Sequence, residues 1–100
     1  MKHKIFTIFD TKAKAYLPPF FLPEQGMAIR VFADCVNDPN HQFSKHPADY
    51  TLFCIGAWAD NTASLIANAA PINLGVGVEF IEEKTLAPDL SGANNQEQQA

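Results

Sequence analysis

The chain has 100 residues, 47% of them hydrophobic, which is an ordinary composition for one globular domain with its own core. Its formal net charge of −4 argues against nucleic-acid binding driven by overall charge, although it leaves room for a local basic face. No apolar run approaches the roughly 20 residues of a membrane-spanning helix, and Asp10 and Lys12 interrupt the apolar N-terminus too early for a signal peptide.

The charge is unevenly distributed along the chain. Residues 1–50 contain six Lys or Arg against five Asp or Glu, a balance of +1. Residues 51–100 contain one Lys against six Asp or Glu, a balance of −5. The Asn- and Gln-rich end of the chain cannot build a core. We therefore predict one domain over residues 1–85, followed by a disordered polar tail over residues 86–100.

The first part of the chain predicts two strands joined by a polar turn. Residues 2–9 are rich in Ile and Phe and alternate imperfectly, as a partly buried strand does. Residues 10–14 have the length and polarity of a hairpin loop, and residues 15–17 predict a short second strand. Two prolines end this strand, because proline cannot donate a hydrogen bond to a neighbouring strand. Residues 20–22 then continue as an extended segment.

The main helix of the chain follows this segment. Pro23 suits a first helical turn. Ile29, Phe32 and Val36 recur on one helical face, with further apolar residues beside them. Pro39 disfavours helical geometry in the residue before it and therefore ends the helix.

The second half predicts a loop, a strand pair and a short helix. Residues 41–48 show no hydrophobic period and predict a loop. Residues 49–59 are apolar on both faces, which is typical of a central strand, and after a turn residues 62–68 return as its partner. Residues 72–82 are ambiguous, because their helical apolar face contains two glycines that weaken a helix by about 1 kcal/mol each. We favour a short helix there, with a strand as the alternative.

Together these elements predict an α+β fold with the order β-β-α-β-β-α. An antiparallel sheet of about four strands would carry the main helix on one face, and a short C-terminal helix would follow. Such a sheet leaves at least one edge strand open. Because a two-fold dimer is the commonest oligomer, we expect a homodimer.

Two cysteines and two histidines include the types of side chain that bind zinc. Cys35, His41, His46 and Cys54 could hold a tetrahedral metal ion, but their spacing, C-x5-H-x4-H-x7-C, lacks the close pairs of the usual zinc sites. Both cysteines lie in apolar runs, which favours buried, reduced thiols over a disulfide or an exposed nucleophile. We expect neither a metal ion nor another cofactor.

The sequence contains none of the common catalytic motifs. There is no glycine-rich phosphate loop, no serine elbow and no tight carboxylate cluster. We therefore expect a binding protein rather than an enzyme.

The best candidate for a binding surface combines residues 41–46 with the first hairpin. Phe43 could stack on a base, and the adjacent Lys45 and His46 could meet phosphate. If the hairpin lies nearby, its lysines and tyrosine extend this surface. In the alternative interpretation, Phe43 is a core residue and the lysines are ordinary solvated charges. The candidate nucleic-acid-binding residues are Lys2, Lys4, Lys12, Lys14, Tyr16, Arg30, Phe43, Lys45 and His46.

Three phrases of the sequence carry a family resemblance. Residues 26–39 read Gly-x-Ala-Ile-Arg-x-Phe-x-Asp-x-Val-Asn-Asp-Pro, and residues 43–56 read Phe-x-Lys-His-Pro-x-Asp-Tyr-Thr-Leu-Phe-x-Ile-Gly. Residues 5–16 read Ile-Phe-x-Ile-Phe-Asp-x-Lys-Ala-x-Ala-Tyr. In their order along the chain, together with a shorter similar segment at residues 71–75, they resemble the small nonstructural protein of gokushoviruses, which are single-stranded DNA microviruses.

The resemblance implies a phage protein that is made in the cytoplasm of the bacterial host and is absent from the mature capsid. It also implies a part in viral DNA synthesis, through binding of single-stranded DNA or in the switch from replication to packaging. The leading hypothesis is therefore a non-enzymatic, single-stranded-DNA-binding replication protein. The alternative is a protein–protein adaptor without DNA affinity, whose partner would be the viral replication initiator or the capsid protein.

Overall fold

The computed structural model describes residues 1–82 and has an α+β fold with one main helix on an antiparallel sheet. The strands are β1 (Lys2–Asp10), β2 (Ala15–Tyr16), β3 (Phe20–Leu22), β4 (Tyr50–Ala59) and β5 (Ser64–Val76). The helices are α1 (Gln25–Asn37) and α2 (Gln42–Lys45), and two 3₁₀ turns span Pro47–Asp49 and Gly77–Phe80. The predicted domain boundary at residue 85 and the predicted tail over residues 86–100 lie outside the described residues. No helix within residues 1–82 is long and apolar enough to cross a membrane.

Strand β4 lies at the centre of the sheet, as its two apolar faces predict. It pairs antiparallel with β1 on one side and with β5 on the other. The two short strands both pair with the second edge of β1, β3 opposite residues 4–6 and β2 opposite residues 9–10. The order across the sheet is therefore β2 or β3, then β1, β4 and β5, and β5 is an edge of the sheet that the described residues form.

Helix α1 covers one face of the sheet, which we call the inner face. The helical spacing of its apolar residues explains this position, because Ala28, Phe32 and Val36 are all buried. They belong to one core cluster with side chains of β1, β4 and α2, namely Phe6, Ile8, Phe43, Tyr50, Leu52 and Cys54. The opposite face, which we call the outer face, carries no helix among the described residues.

A bulge in β4 changes which residues reach the outer face. The partners of Ile5 and Phe6 are Gly56 and Cys54, so Ile55 is an extra residue without a partner in β1. A bulge re-aims the side chains on its strand. Ile55 already lies on the outer face by alternation with Phe53, and the extra residue turns the later Trp58 to the same face, so that both line its grooves.

The same bulge accommodates a four-residue excursion in β5. Cys54 pairs with Ile72 and Gly56 with Ala67, so residues 68–71 have no partners in β4. The side-chain amide of Asn68 donates a hydrogen bond to the Cys54 carbonyl (3.1 Å) and holds the excursion to the sheet. Gly56 allows the close approach of β5, because a Cβ there would collide with the backbone carbonyl oxygen of Ile66.

Within residues 1–82 the sheet has five strands rather than about four, because the extended segment at residues 20–22 is a paired strand. Pro18 and Pro19 precede this segment and lie outside its paired residues, so they do not interrupt its hydrogen bonds to β1. The partner of β4 is also longer than the predicted strand at residues 62–68, since β5 continues to Val76.

The short helix predicted at residues 72–82 is wrong, and the strand alternative applies to its first half. Thr51 and Leu52 pair with Val76 and Gly75, so contacts with β4 override the helical spacing of the apolar residues. Gly75 has a φ of 137°, which only glycine adopts readily. The chain then turns through Gly77–Phe80, and the ring of Phe80 packs edge-on against Phe32 at a centroid distance of 5.6 Å.

The loop predicted at residues 41–48 contains α2 and a 3₁₀ turn instead. The backbone N–H of Phe43 donates to Nδ1 of His41 (3.1 Å), which caps the first turn of α2. A helix of four residues is too short to show a hydrophobic period, so the sequence pattern could not reveal it.

Candidate nucleic-acid interface

Phe43 is 6% exposed and lies in the core. Its ring packs against Tyr50 and Phe32, at centroid distances of 4.4 and 5.6 Å. A base cannot stack on a buried ring. The structure therefore supports the alternative interpretation of Phe43, and residues 41–46 contain no accessible phenylalanine.

The hairpin tip and the segment after α2 do lie together. The backbone N–H of Thr11 donates to the carbonyl of Asp49 (2.9 Å), which joins the turn between β1 and β2 to the Pro47–Asp49 turn. Asp10 shapes this hairpin turn by accepting hydrogen bonds from the backbone N–H groups of Lys12 (3.0 Å) and Ala13 (3.2 Å). The exposed basic side chains at this end of the described residues are Lys12, Lys14, Lys45 and His46.

The remaining predicted cations do not join this cluster. Lys2 and Lys4 are exposed at the far end of β1, about 20–25 Å from the hairpin turn at roughly 3.3 Å per strand residue. Arg30 is exposed on α1, which covers the inner face. The nine predicted residues therefore do not form one continuous basic surface.

Aromatic side chains gather instead at both ends of the outer face. At the hairpin end Tyr16 is 51% exposed and lies between Phe9 and Phe53, at ring-centroid distances of 4.8 and 5.8 Å. At the other end Phe21 meets Trp58 edge-on at 6.5 Å. Sequence reasoning identified Tyr16 but missed the other four rings. The two apolar faces of β4 indicate a second apolar sheet face, since one main helix can cover only one of them, but the alternation of the strand does not place Trp58 there because the bulge shifts it.

Three shallow grooves connect these two ends. One, of about 590 Å³, is lined by His3, Phe21, Trp58 and Leu65. The next shares Phe21 and Leu65 with it, and the third shares Pro19 and Ile55 with the second and reaches Tyr16. Among residues 1–82, no side chain that lines these grooves carries a carboxylate. We call this continuous surface the outer-face groove.

The dimensions of the outer-face groove suit an extended polymer. Tyr16 is paired with Phe9, and Trp58 with His3, so the two aromatic ends are six residue steps apart along β1. At roughly 3.3 Å per residue, this distance is about 20 Å.

Asp60 is the carboxylate beside the Trp58 end of the groove, and the Met1 ammonium offsets its charge. Its Oδ2 lies 3.5 Å from Nε2 of His3, and its Oδ1 accepts a hydrogen bond from the Met1 ammonium (2.6 Å). That hydrogen bond is the main reason why the pKa of Asp60 is lowered. The carboxylate therefore stays ionised but partnered, which reduces its repulsion of an anionic ligand.

The cysteines and histidines do not form a recognisable metal or thiol site within residues 1–82. Cys35 and Cys54 are both free thiols, and no three His, Cys, Asp or Glu side chains of this part of the chain are grouped as metal ligands. Partial burial raises the pKa of the Cys35 thiol, and the neighbouring carboxylates of Asp34 and Asp38 raise it further. This environment disfavours the thiolate that a nucleophile or metal ligand requires.

Comparison with known proteins connects this chain to a phage family. No curated protein and no solved structure matches the chain. The family model described as the phage ORF5 protein matches residues 3–80, which include all the strands and helices described above except Lys2, the first residue of β1. This chain therefore belongs to the phage ORF5 protein family.

Proposed function

We propose that this phage protein acts without catalysis in viral DNA synthesis, in the cytoplasm of the bacterial host, by binding single-stranded DNA along its outer-face groove. The observation that carries the proposal is a sheet face that residues 1–82 leave uncovered, with exposed aromatic rings at its ends and no carboxylate from these residues in its lining. The resemblance to the nonstructural proteins of gokushoviruses supports the same role in replication or in the switch to packaging.

In the proposed complex, aromatic rings would contact the bases and lysines would contact the phosphates. Every base has a π face, so the rings of Tyr16 and Trp58 could each receive one without sequence preference. Lys12 and Lys14, in the turn that leads into β2, would meet phosphates at the Tyr16 end. Bases in a duplex are already stacked and shield their faces, so a site of this kind favours single strands.

Fluorescence polarisation with labelled oligo-dT tests the proposal. We expect binding at micromolar protein in low salt, weaker binding at moderate salt, and poor competition by duplex DNA of the same length. A flat titration at micromolar protein in low salt would overturn it.

A matched pair of charge variants locates the phosphate contacts. Lys12→Gln at the hairpin tip should weaken binding and reduce the slope of log K against log salt by about 0.7 for each phosphate of a single strand that the protein no longer neutralises. Arg30→Gln removes one exposed charge from α1, on the other side of the sheet, and should leave both quantities unchanged. Equal effects of the two variants would show that charge acts generally and that the groove is not the site.

The second candidate is a protein–protein adaptor without DNA affinity. The observation that favours it is the apolar middle of the outer-face groove, where Pro19, Ile55 and Pro71 would suit a peptide or another domain. A flat oligonucleotide titration together with capture of the viral replication initiator or the capsid protein would select this function.

A further inference from the structure

Strand β5 is a long edge strand without charge. Its 13 residues read Ser-Leu-Ile-Ala-Asn-Ala-Ala-Pro-Ile-Asn-Leu-Gly-Val and include no Asp, Glu, Lys or Arg. Within residues 1–82 it pairs with β4 alone. The exposed fractions of its larger side chains are 68% for Leu65, 47% for Ile66 and 51% for Ile72. An edge of this kind presents unpaired backbone groups and apolar side chains to any strand that can add to it.

The two edges of the sheet differ sharply. The edge at β1 is occupied by two short strands of two and three residues, with two prolines between them. Charged edge residues and prolines are the usual protection against unwanted pairing. On β5 such protection is limited to Pro71 and the excursion at residues 68–71, so residues 64–67 remain unprotected.

We propose that residues 64–67 of β5 pair antiparallel with the same residues of a second copy of this chain. This pairing would fill the open backbone positions of residues 64–67 in both copies with one two-fold contact, after which neither copy has this segment left to extend. The segment is compatible with self-pairing, because its small and aliphatic side chains would contact the same side chains of the second copy and no like charges would lie opposite each other.

Strand geometry fixes how the two copies would be arranged. Directly opposed residues share one face of a sheet, and successive residues alternate between faces. In a two-fold antiparallel pair, one residue near the middle of the segment must therefore lie opposite its own copy. The outer faces of both copies would then lie on the same side of a ten-stranded sheet, with their grooves adjacent.

The oligomeric state of the full chain and of two matched variants tests this interface. Light scattering at tens of micromolar should give the wild type twice the 11.0 kDa mass of the chain. Leu65→Lys with Ile66→Lys should give 11.0 kDa, because charge on an edge strand prevents pairing. Met27→Lys with Val31→Lys, at exposed apolar residues of α1, should remain dimeric.

Hydrogen exchange on the wild type provides a second reading that does not depend on variant folding. The amides of residues 64–67 should gain protection as the protein concentration rises, while exposed amides of the hairpin turn should not. A wild-type mass of 11.0 kDa, a dimer that survives the β5 substitutions, or a dimer abolished by the α1 substitutions would each overturn the proposal. A flat DNA titration with a β5 dimer would leave it intact and reject only the proposed function.

Discussion

Tyr16 combines a half-exposed aromatic ring with a position close in sequence to the lysines of the hairpin turn. Its ring is half exposed and is supported on one side by Phe9 and on another by Phe53, while the lysines of the hairpin turn precede it in the chain. The side chain contributes little to the core, because it stands outside the inner-face cluster. Its replacement should therefore change binding far more than folding.

We expect Tyr16→Ala to weaken oligo-dT binding about tenfold, since each base–aromatic stack contributes about 1–3 kcal/mol. Tyr16→Phe keeps the ring and should bind like the wild type. Both affinities can be measured by polarisation at one salt concentration, with thermal unfolding as the control for folding. If alanine and phenylalanine behave alike, Tyr16 does not stack on DNA.

The Cys35 thiol is held in its protonated form by its surroundings. Burial raises its pKa most, and Asp34 and Asp38 add to the effect because a nearby negative charge opposes thiolate formation. Iodoacetamide should therefore modify Cys35 slowly at pH 8, and Asp34→Asn should raise the rate by lowering the pKa. Peptide mass spectrometry would follow Cys35 directly, with Asp60→Asn as the control that should not change its rate. An unchanged rate in Asp34→Asn would contradict the electrostatic part of this account.

At the scale of elements, the bulge in β4 determines the shape of the outer face. Gly56 is required there by space, since a Cβ would meet the Ile66 carbonyl, whereas a Cβ on Gly26 in α1 would have no neighbour within 4 Å among the described residues. Gly56→Ala should separate β5 from β4 and destabilise the protein. Gly26→Ala should stabilise it by up to about 1 kcal/mol, because glycine weakens a helix.

Urea unfolding measures both glycine variants on the same scale. The midpoint should fall for Gly56→Ala and rise slightly for Gly26→Ala. An unchanged urea midpoint for Gly56→Ala would mean that β5 adjusts to the methyl group at little cost in free energy. The close approach of β4 and β5 would then not require glycine at this position.

The elements that could be predicted from the sequence are the long and regular ones. Helix α1 and strand β4 were predicted because 13 and 10 residues are long enough to show their periods. Strand β3 and helix α2 span only three and four residues and show no period. Strand β5 was divided in the prediction because its excursion and Gly75 interrupt the alternation, which only pairing with β4 restores.

The candidate site was predicted in part for a related reason. Exposed lysines and Tyr16 could be identified by residue type, and the contact between the hairpin turn and Asp49 places that turn beside the segment that directly follows residues 41–46. Whether Phe43 faced solvent or the core depended on α2, which the sequence did not reveal. The role of Trp58 depended on the bulge at Ile55, because an uninterrupted strand would place it on the inner face.

At the scale of the whole molecule, burial and charge are arranged differently on the two sides of the sheet. The inner face is covered by α1, whereas the outer face, as residues 1–82 form it, remains apolar and open. The chain nevertheless carries a net charge of −4, which opposes collection of an anionic ligand by the molecule as a whole. A proposed DNA site of this kind must therefore gain affinity from stacking and from more than one groove.

Pairing through β5 would supply the second groove, and oligonucleotide length tests the connection. If two outer-face grooves lie side by side, a strand long enough to reach both should bind at least about tenfold more tightly than one that fills a single groove, because the second contact is intramolecular. The variant with Leu65→Lys and Ile66→Lys changes the groove itself, so the useful quantity is the ratio of long to short affinities within each protein. The ratio of long-strand to short-strand affinity should be at least about tenfold for the wild type and for the α1 control, Met27→Lys with Val31→Lys. For the β5 variant it should be close to the value expected from the larger number of binding positions on a longer strand. Equal ratios in all three proteins would mean that dimer formation does not affect DNA binding and that each groove binds DNA independently.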